Sequence, residues 1–184
     1  MVGPAPRRAR GFTLVELAIT LLILALLATV GMPYGRAWID GNRQIQARNQ
    51  LMEGLGHARA LGLRNPNALL QSGTAPVEAV RLVLVDSTDG KTLKVLLKPS
   101  PAGAWADGGW QGRPLADGSG FKLAGDAGLA DVAAFEAAAD RGSCLIAFDT
   151  RGRPFTTGGC ALPSGMQQFA VGLRDRDPLH VPIF

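Results

Sequence analysis

The chain has few of the residues that most often build catalytic and metal centres. Its 184 residues include only two cysteines and two histidines. No Cys-x-x-Cys pair is present, which leaves zinc sites and thioredoxin-like chemistry without support. Neither His57 nor His180 belongs to a His-Glu-x-x-His motif, and no Gly-x-Ser-x-Gly elbow occurs. We therefore expect no enzyme activity, no metal and no cofactor, and we expect both histidines to be structural or solvated.

The chain also has little net charge once its first residues are set aside. The formal charge is +4, but Arg7, Arg8 and Arg10 stand within the first ten residues. Without these three arginines, 16 basic side chains face 15 acidic ones. A nearly neutral protein exerts little of the attraction that drives nonspecific phosphate binding. If the first residues are removed, the overall charge gives no reason to expect a nucleic-acid-binding protein.

One long apolar segment dominates the N-terminus. Residues 12–32 read FTLVELAITLLILALLATVGM and carry a single charge, that of Glu16. As a helix this segment spans about 31 Å, enough to cross the hydrocarbon core of a bilayer. The residues before it are basic and free of acids, so the positive-inside rule places them in the cytoplasm and the rest of the chain outside. We predict a single-pass membrane helix.

Glu16 distinguishes this segment from an ordinary signal peptide or anchor. A secretory signal has an apolar stretch of roughly 7 to 15 residues and a small-x-small cleavage site, and this segment has neither. In an uncleaved anchor, which is the alternative, an unpaired carboxylate costs several kcal/mol. Cleavage between Gly11 and Phe12 would create a cationic α-amino group one helical turn from Glu16. The same group on a neighbouring subunit could pair with Glu16 in a bundle of helices.

The predicted cut lies in a motif that resembles the type IV prepilin cleavage motif. Residues 10–17 read RGFTLVEL, after a basic leader and before the apolar run. In that family a membrane aspartyl peptidase cuts after the glycine and methylates the new phenylalanine. The resemblance implies a cut between Gly11 and Phe12, N-methylation of Phe12, and a role for Glu16 in recruiting and aligning subunits. It also implies three partners: the prepilin peptidase, other pilins or pseudopilins, and an inner-membrane assembly platform.

Pro33 closes the apolar segment. In the same family a proline at this point kinks or locally melts the helix, and an internal proline loses one backbone hydrogen bond and clashes with the preceding turn. The alternative is that Pro33 ends the membrane helix at the interface, where Tyr34 and Trp38 would be interfacial anchors.

The rest of the sequence predicts an α+β fold, in which a long N-terminal helix packs on a C-terminal antiparallel β-sheet domain. Apolar residues at helical spacing continue to residue 63, which indicates an amphipathic second half of the helix, ending before Asn65-Pro66. The predicted boundaries are a cleaved leader at 1–11, a membrane and assembly helix at 12–33, an amphipathic helix at 34–65, and a periplasmic β-rich domain at 66–184.

Within that last domain, turn-rich sequences between short apolar runs predict the strands. Residues 99–128 read as a long surface loop that Trp105 and Trp110 pin down, and residues 130–139 as a short helix or an edge strand. The predicted strands are a hairpin over 80–97, a second hairpin over 144–157, and two late strands at 168–173 and 179–184.

Cys144 and Cys160 flank the second predicted hairpin. In an oxidising compartment they would pair and close a loop of roughly 15 residues, which contributes about 3 kcal/mol in the chain-entropy model. The alternative is two buried free thiols.

Scattered points in this domain resemble the GspH/FimT subgroup of minor pilins and pseudopilins. They are Gly109-Trp110, the string AFDTRGRP at 147–154, and the late strands. The resemblance implies a minor subunit that helps to initiate or cap a type IV pilus or a type II secretion pseudopilus. Such a protein would sit in the bacterial inner membrane before it enters a filament.

Four arginines lie in two late turns and suggest an alternative function. Arg151 and Arg153 share one turn, Arg174 and Arg176 the other. If the turns were adjacent, four guanidiniums could bind phosphates, although neighbouring aspartates would weaken the field. DNA-uptake members of the FimT type bind DNA through a C-terminal arginine motif that either Gly152-Arg153 or Gly172-Leu173-Arg174 partly resembles. The alternative is therefore a DNA-binding minor pilin for natural transformation, set against a solvated turn face.

Overall fold

The computed structural model describes residues 12–70, 76–125, 128–139, 141–157, 160, 162 and 166–183. The chain divides into two compact units, Met1–Ile39 and Asp40–Phe184. Helix α1, Leu14–Arg64, contributes residues to both units. Its end at Arg64 agrees with the helix-terminating Asn65-Pro66 pair that follows.

The described residues after α1 form mostly antiparallel strands, which confirms the predicted α+β layout. The elements are β1 (Glu78–Ser87), β2 (Gly90–Leu97), β3 (Ala106–Gln111), β4 (Ser119–Gly125), α2 (Val132–Ala137), β5 (Cys144–Asp149), β6 (Pro154–Phe155), β7 (Met166–Leu173) and β8 (Arg176–Pro182).

The strands form two sheets. The larger has the order β3-β2-β1-β5-β6 and the smaller the order β4-β7-β8. The hairpin β1–β2 pairs from Val80 with Leu97 to Ser87 with Gly90, where Gly90 takes a φ of 116° that favours glycine. The predicted first hairpin, the β5–β6 hairpin and a late antiparallel pair are all present.

The C-terminal part of α1 covers the core of the second unit. A stripe of small and apolar side chains at helical spacing is fully buried there, and it consists of Ala47, Leu51, Leu55 and Ala58. It packs in one cluster with residues of both sheets, including Leu82, Phe148 and Phe169. Gly54 allows α1 to lie close to the larger sheet, because an added Cβ would be 2.9 Å from Leu82 Cδ1 and from the Trp110 ring.

The expectation of a long loop over residues 99–128 is wrong, since β3 and β4 lie within it. The β3 sequence ADGGWQ lacks β-branched residues, so its own propensity does not favour a strand. Pairing with β2 and the burial of Trp110 enforce the extended backbone, which carries a bulge opposite Lys94 and Leu96. Lys94 Nζ lies 2.7 Å from Asp107 Oδ2, and this bond lowers the pKa of Asp107.

Three further sequence expectations are refined by the structure. The ambiguous 130–139 segment contains the helix α2, whose first turn is capped where Asp131 Oδ1 accepts a hydrogen bond from Ala134 N at 2.8 Å. Trp105 is half-buried under the Arg81 guanidinium, 4.4 Å from the ring centre. Strand β8 begins at Arg176, earlier than expected, because an edge strand tolerates Pro178.

Candidate functional site

The first turn of α1 is closed by a capping box. Thr13 Oγ1 accepts a hydrogen bond from Glu16 N at 3.2 Å, and Glu16 Oε2 accepts one from Thr13 N at 3.3 Å. The Thr13 hydroxyl also donates to Glu16 Oε2 at 3.3 Å. These bonds satisfy backbone N–H groups that have no partner within the helix at its N-terminus. They also hold the Glu16 carboxylate at the positive end of the helix dipole.

Thr13 is a site residue that our sequence reasoning missed. The Thr-x-x-Glu spacing of Thr13 and Glu16 is itself the signature of a capping box, so the signal was present in the sequence. The charge pattern alone marks Glu16 only as a lone carboxylate inside an apolar run. In the structure it has a second, local role in starting the helix.

The helix surface that follows is apolar on every side. An 18-residue window of α1 has a mean hydropathy of 2.5, and all of it is exposed. By length and composition, α1 is the one helix in the described part of the chain that could cross a membrane. The large exposed side chains up to residue 32 are Phe12, Leu14, Val15, Leu17, Ile19, Leu21, Leu22, Ile23, Leu24, Leu26, Leu27, Val30 and Met32.

The structure places the predicted processing residues at the start of this surface. Gly11 lies outside the described residues, and Phe12 is 88% exposed. Pro33 falls inside α1, whose backbone stays helical there. The cut after Gly11, the role of Glu16 in assembly and the kink at Pro33 stay predictions.

Comparison with known proteins bears on this same segment. The prokaryotic N-terminal methylation motif matches residues 6–32. The match supports a type IV pilin-like prepilin, and a motif of this kind suggests a structural subunit. Together with the apolar helix it fits inner-membrane anchoring, and it implies general interaction with other pilins and with a prepilin peptidase. The chain matches none of the curated proteins and none of the solved structures compared.

Cys144 and Cys160 form a disulfide with Cα atoms 5.3 Å apart. Cys144 is the first residue of β5, and Cys160 follows β6, so the bond joins the two outer sides of this hairpin. Both cysteines are buried and pack in a small cluster with Val83 and Ala147.

The Arg151–Arg153 turn lies against the end of α1. Asp149 Oδ1 accepts hydrogen bonds from Arg151 N and Arg153 N, each at 2.8 Å, which fixes the turn. A Cβ added to Gly62 would lie 2.8 Å from Asp149 O, so α1 and the turn meet there with almost no gap.

The Arg174–Arg176 turn lies against the Asp40–Gln44 part of α1 instead. Arg174 Nη1 is 3.3 Å from Asp40 Oδ2, and Gln44 Nε2 donates to Asp177 O at 2.8 Å. At about 1.5 Å per residue, the parts of α1 that the two turns contact, Gly62 and Asp40–Gln44, are about 27 to 33 Å apart along the helix. The structure therefore does not bring the four guanidiniums together, which was the condition for a joint phosphate site.

The two histidines lie in separate places and make packing or hydrogen-bond contacts. The His57 ring stacks on Trp110 with centroids 5.9 Å apart, and His180 Nε2 accepts a hydrogen bond from Leu129 N at 3.1 Å. Among the described residues, no group of three or more His, Cys, Asp or Glu side chains could hold a metal ion.

Proposed function

We propose that the chain is a minor pilin or pseudopilin that helps to initiate or cap a type IV pilus or a type II secretion pseudopilus. The observation that carries the proposal is the capped, all-round apolar start of α1 inside the match to the methylation motif. In this proposal residues 1–11 are a leader that is removed, 12–33 span the inner membrane, 34–65 continue the helix, and 66–184 form a periplasmic domain.

Glu16 carries the assembly step in this proposal. Its hydrogen bonds to Thr13 satisfy local donors but supply no positive charge. The cut between Gly11 and Phe12 creates an amino group that stays cationic after N-methylation. Glu16 is exposed, so this group on a neighbouring subunit can reach it once the apolar helices bundle. Pairing removes the cost of an uncompensated carboxylate in an apolar surrounding. Pro33 then provides local flexibility where the membrane helix ends.

The test separates the charge of Glu16 from its capping role. Glu16→Ala removes both, Glu16→Gln keeps an oxygen that can accept from Thr13 N, and Thr13→Val removes the hydroxyl but keeps the charge. Each variant is coexpressed with a prepilin peptidase, and cleavage and filament assembly or secretion are scored. We expect Glu16→Ala and Glu16→Gln to be cleaved and to fail equally in assembly, with Thr13→Val less affected. Normal assembly of Glu16→Gln would show that the charge is not required.

The DNA-binding alternative has no comparable support. The two arginine turns are separated along α1, and Arg174 is engaged by Asp40. Whether the subunit serves a type IV pilus or a type II secretion system is a separate question. The identity of the neighbouring genes is the simplest way to answer it. Genes for a secretin, a secretion ATPase and other pseudopilins would indicate secretion.

A further inference from the structure

Helix α2 belongs to a short segment that lies on the smaller sheet. Residues 128–137, here called the strap, run over the sheet face that points away from the core, and α2 contacts β7 and β8 there. None of the residues of α2 is buried. Because α2 has only six residues, it is too short to be stable in water by itself. Its helical structure therefore depends on the contacts that hold the strap to the sheet.

One aromatic ring holds the middle of the strap. Gly120 of β4 and Gly172 of β7 are paired across the sheet, and together they form a glycine notch under the Phe135 ring. A Cβ added to Gly172 would lie 2.5 Å from Phe135 Cζ, and one added to Gly120 would lie 3.2 Å from it. Lys122 Nζ lies 4.8 Å from the centre of the same ring and donates to Glu136 O at 3.1 Å. The ring fits this notch only because both residues lack a side chain.

His180 of β8 holds the start of the strap. Its Nε2 accepts a hydrogen bond from Leu129 N at 3.1 Å, and a Cβ added to Gly128 would lie 2.7 Å from the same nitrogen. A ring nitrogen accepts a hydrogen bond only when it carries no proton. Histidine takes up a proton between about pH 5 and 8, and a protonated Nε2 would be a donor that faces the donor of Leu129. The attached strap therefore favours the neutral ring, and it loses this bond as the pH falls.

Charged side chains on the elements around His180 affect the pH at which the bond is lost but not the direction of the change. They are Asp131 and Glu136 on the strap, Lys122 on β4, Arg176 on β8 and Arg48 on α1, whereas β7 has no charged residue. Asp131 Oδ1 accepts a hydrogen bond from Ala134 N, and Arg48 Nε donates to His180 O at 3.3 Å rather than to the ring. Asp126 lies outside the described residues.

The strap also forms one wall of a cavity of about 640 Å³ in the second unit. Phe135 and Glu136 line the cavity from the strap, and the β1–β2 hairpin and β4 provide other walls. Lys122 lines it as well and is only 7% exposed while the strap contacts it. Detachment of the strap would widen the mouth of the cavity and expose Lys122 and the glycine notch.

We propose that the strap is a pH-sensitive lid on this cavity, closed while His180 is neutral and released when its ring is protonated. On release, Leu129 loses its bond to the ring, Phe135 leaves the glycine notch, and α2 unfolds because nothing else supports so short a helix. This inference does not depend on the proposed function, since it uses only the second unit.

The first test measures amide hydrogen exchange by NMR on the full-length chain in detergent micelles at pH 7.5 and pH 5.5. The reporters are Phe135 N and Ala138 N, which donate to Asp131 O and Ala134 O within α2. We expect their protection factors, which are corrected for the intrinsic effect of pH, to be roughly tenfold lower at pH 5.5. His180→Gln, whose amide oxygen can accept from Leu129 N at both pH values, should remove this difference. His57→Gln, the same change at the other histidine, should keep it.

Two exchange results would overturn the proposal. If the two reporters were as protected as the amides of β7 at both pH values, the strap would open only when the whole unit unfolds. If His180→Gln kept the pH dependence, another group would be responsible. Should His180→Gln fail to fold, the titration of the His180 ring in the wild type decides instead. Its midpoint must coincide with the midpoint of the loss of protection, and different midpoints would overturn the proposal.

The second test asks whether the strap covers the cavity. Phe135→Ala empties the glycine notch, so the Lys122 amine should react several-fold faster than in the wild type with an acylating reagent at pH 7.5. Lys91, an exposed residue of the same cavity, is the internal control and should react at an unchanged rate. Equal reactivity of Lys122 in the wild type and in folded Phe135→Ala would show that the strap is not a lid.

Discussion

Two buried glutamines on α1 have the same chemistry and opposite surroundings. Gln44→Leu removes two hydrogen bonds and should lower the free energy of unfolding by about 1 to 3 kcal/mol. Gln50→Leu removes a buried amide that has no partner among the described residues, and should raise it by about 1 kcal/mol. Urea unfolding of the full-length protein measures both. Changes of the same sign would contradict this account of Gln50.

Two glycines of α1 form a second matched pair. At Gly54 a Cβ would lie 2.9 Å from Leu82 Cδ1 and from Trp110, so Gly54→Ala should cost about 1 to 3 kcal/mol through overpacking. At Gly56 an added Cβ meets nothing within 4 Å, so Gly56→Ala should stabilise the helix by about 0.5 to 1 kcal/mol. Thermal unfolding ranks the two variants. If Gly54→Ala proves as stable as Gly56→Ala, the helix and sheet are further apart than the structure has them.

For single residues, the sequence reveals the residue type and its spacing but not its hydrogen-bond partners in the fold. Glu16 stands out because a lone charge interrupts an apolar run, and the Thr-x-x-Glu spacing is visible to anyone who looks for a capping box. Gln44 and Gln50 cannot be told apart from the sequence. Which of them meets a carbonyl depends on how α1 lies over the two sheets, and that is a property of the packed core.

The hairpin β5–β6 depends on its disulfide. Strand β6 has only two residues, Pro154 and Phe155, so few backbone bonds hold it to β5. The disulfide closes a sequence separation of 16 residues. Replacing both Cys144 and Cys160 by Ser should lower the free energy of unfolding by about 3 kcal/mol and speed hydrogen exchange in β6.

Denaturant unfolding of this double variant is compared with the wild type, with and without reductant. Reduced wild type should match the variant, and reductant should leave the variant unchanged. A loss well below 1 kcal/mol would mean that packing of β6 holds the hairpin without the bond.

The elements that sequence patterns predict are those whose own residues fit them. The hairpin β1–β2 follows from two apolar runs around a turn. The segments that were misread, β3, β4 and the start of β8, all belong to edge strands. Edge strands tolerate glycine and proline because the backbone groups on their outer edge need no hydrogen-bond partner in the sheet. Pairing with the adjacent strand, rather than intrinsic strand propensity, therefore decides their structure.

Over the whole molecule, the positions of the arginines predict weak DNA binding. Because the two turns contact α1 at places about 27 to 33 Å apart and Asp40 pairs with Arg174, they cannot act as one phosphate clamp. We expect the affinity of the full-length chain for duplex DNA to fall only shallowly with salt. The double variants Arg151→Ala/Arg153→Ala and Arg174→Ala/Arg176→Ala should behave independently. If the DNA affinity of the wild type fell steeply with salt and either double variant abolished this dependence, the two arginine turns would not be acting as separate sites.

The exposed start of α1 has a consequence for the life of the subunit. A helix that is apolar all round is stable only where apolar groups surround it, which a bilayer and a bundle of like helices both provide. In the proposed function the apolar helix passes directly from the bilayer into the helix bundle of the filament and is not exposed to water. The inner membrane then holds the whole pool of free subunits, and a growing filament can gain subunits only by their lateral diffusion in the bilayer. Subunits in a filament that is shed outside the cell do not return to this pool.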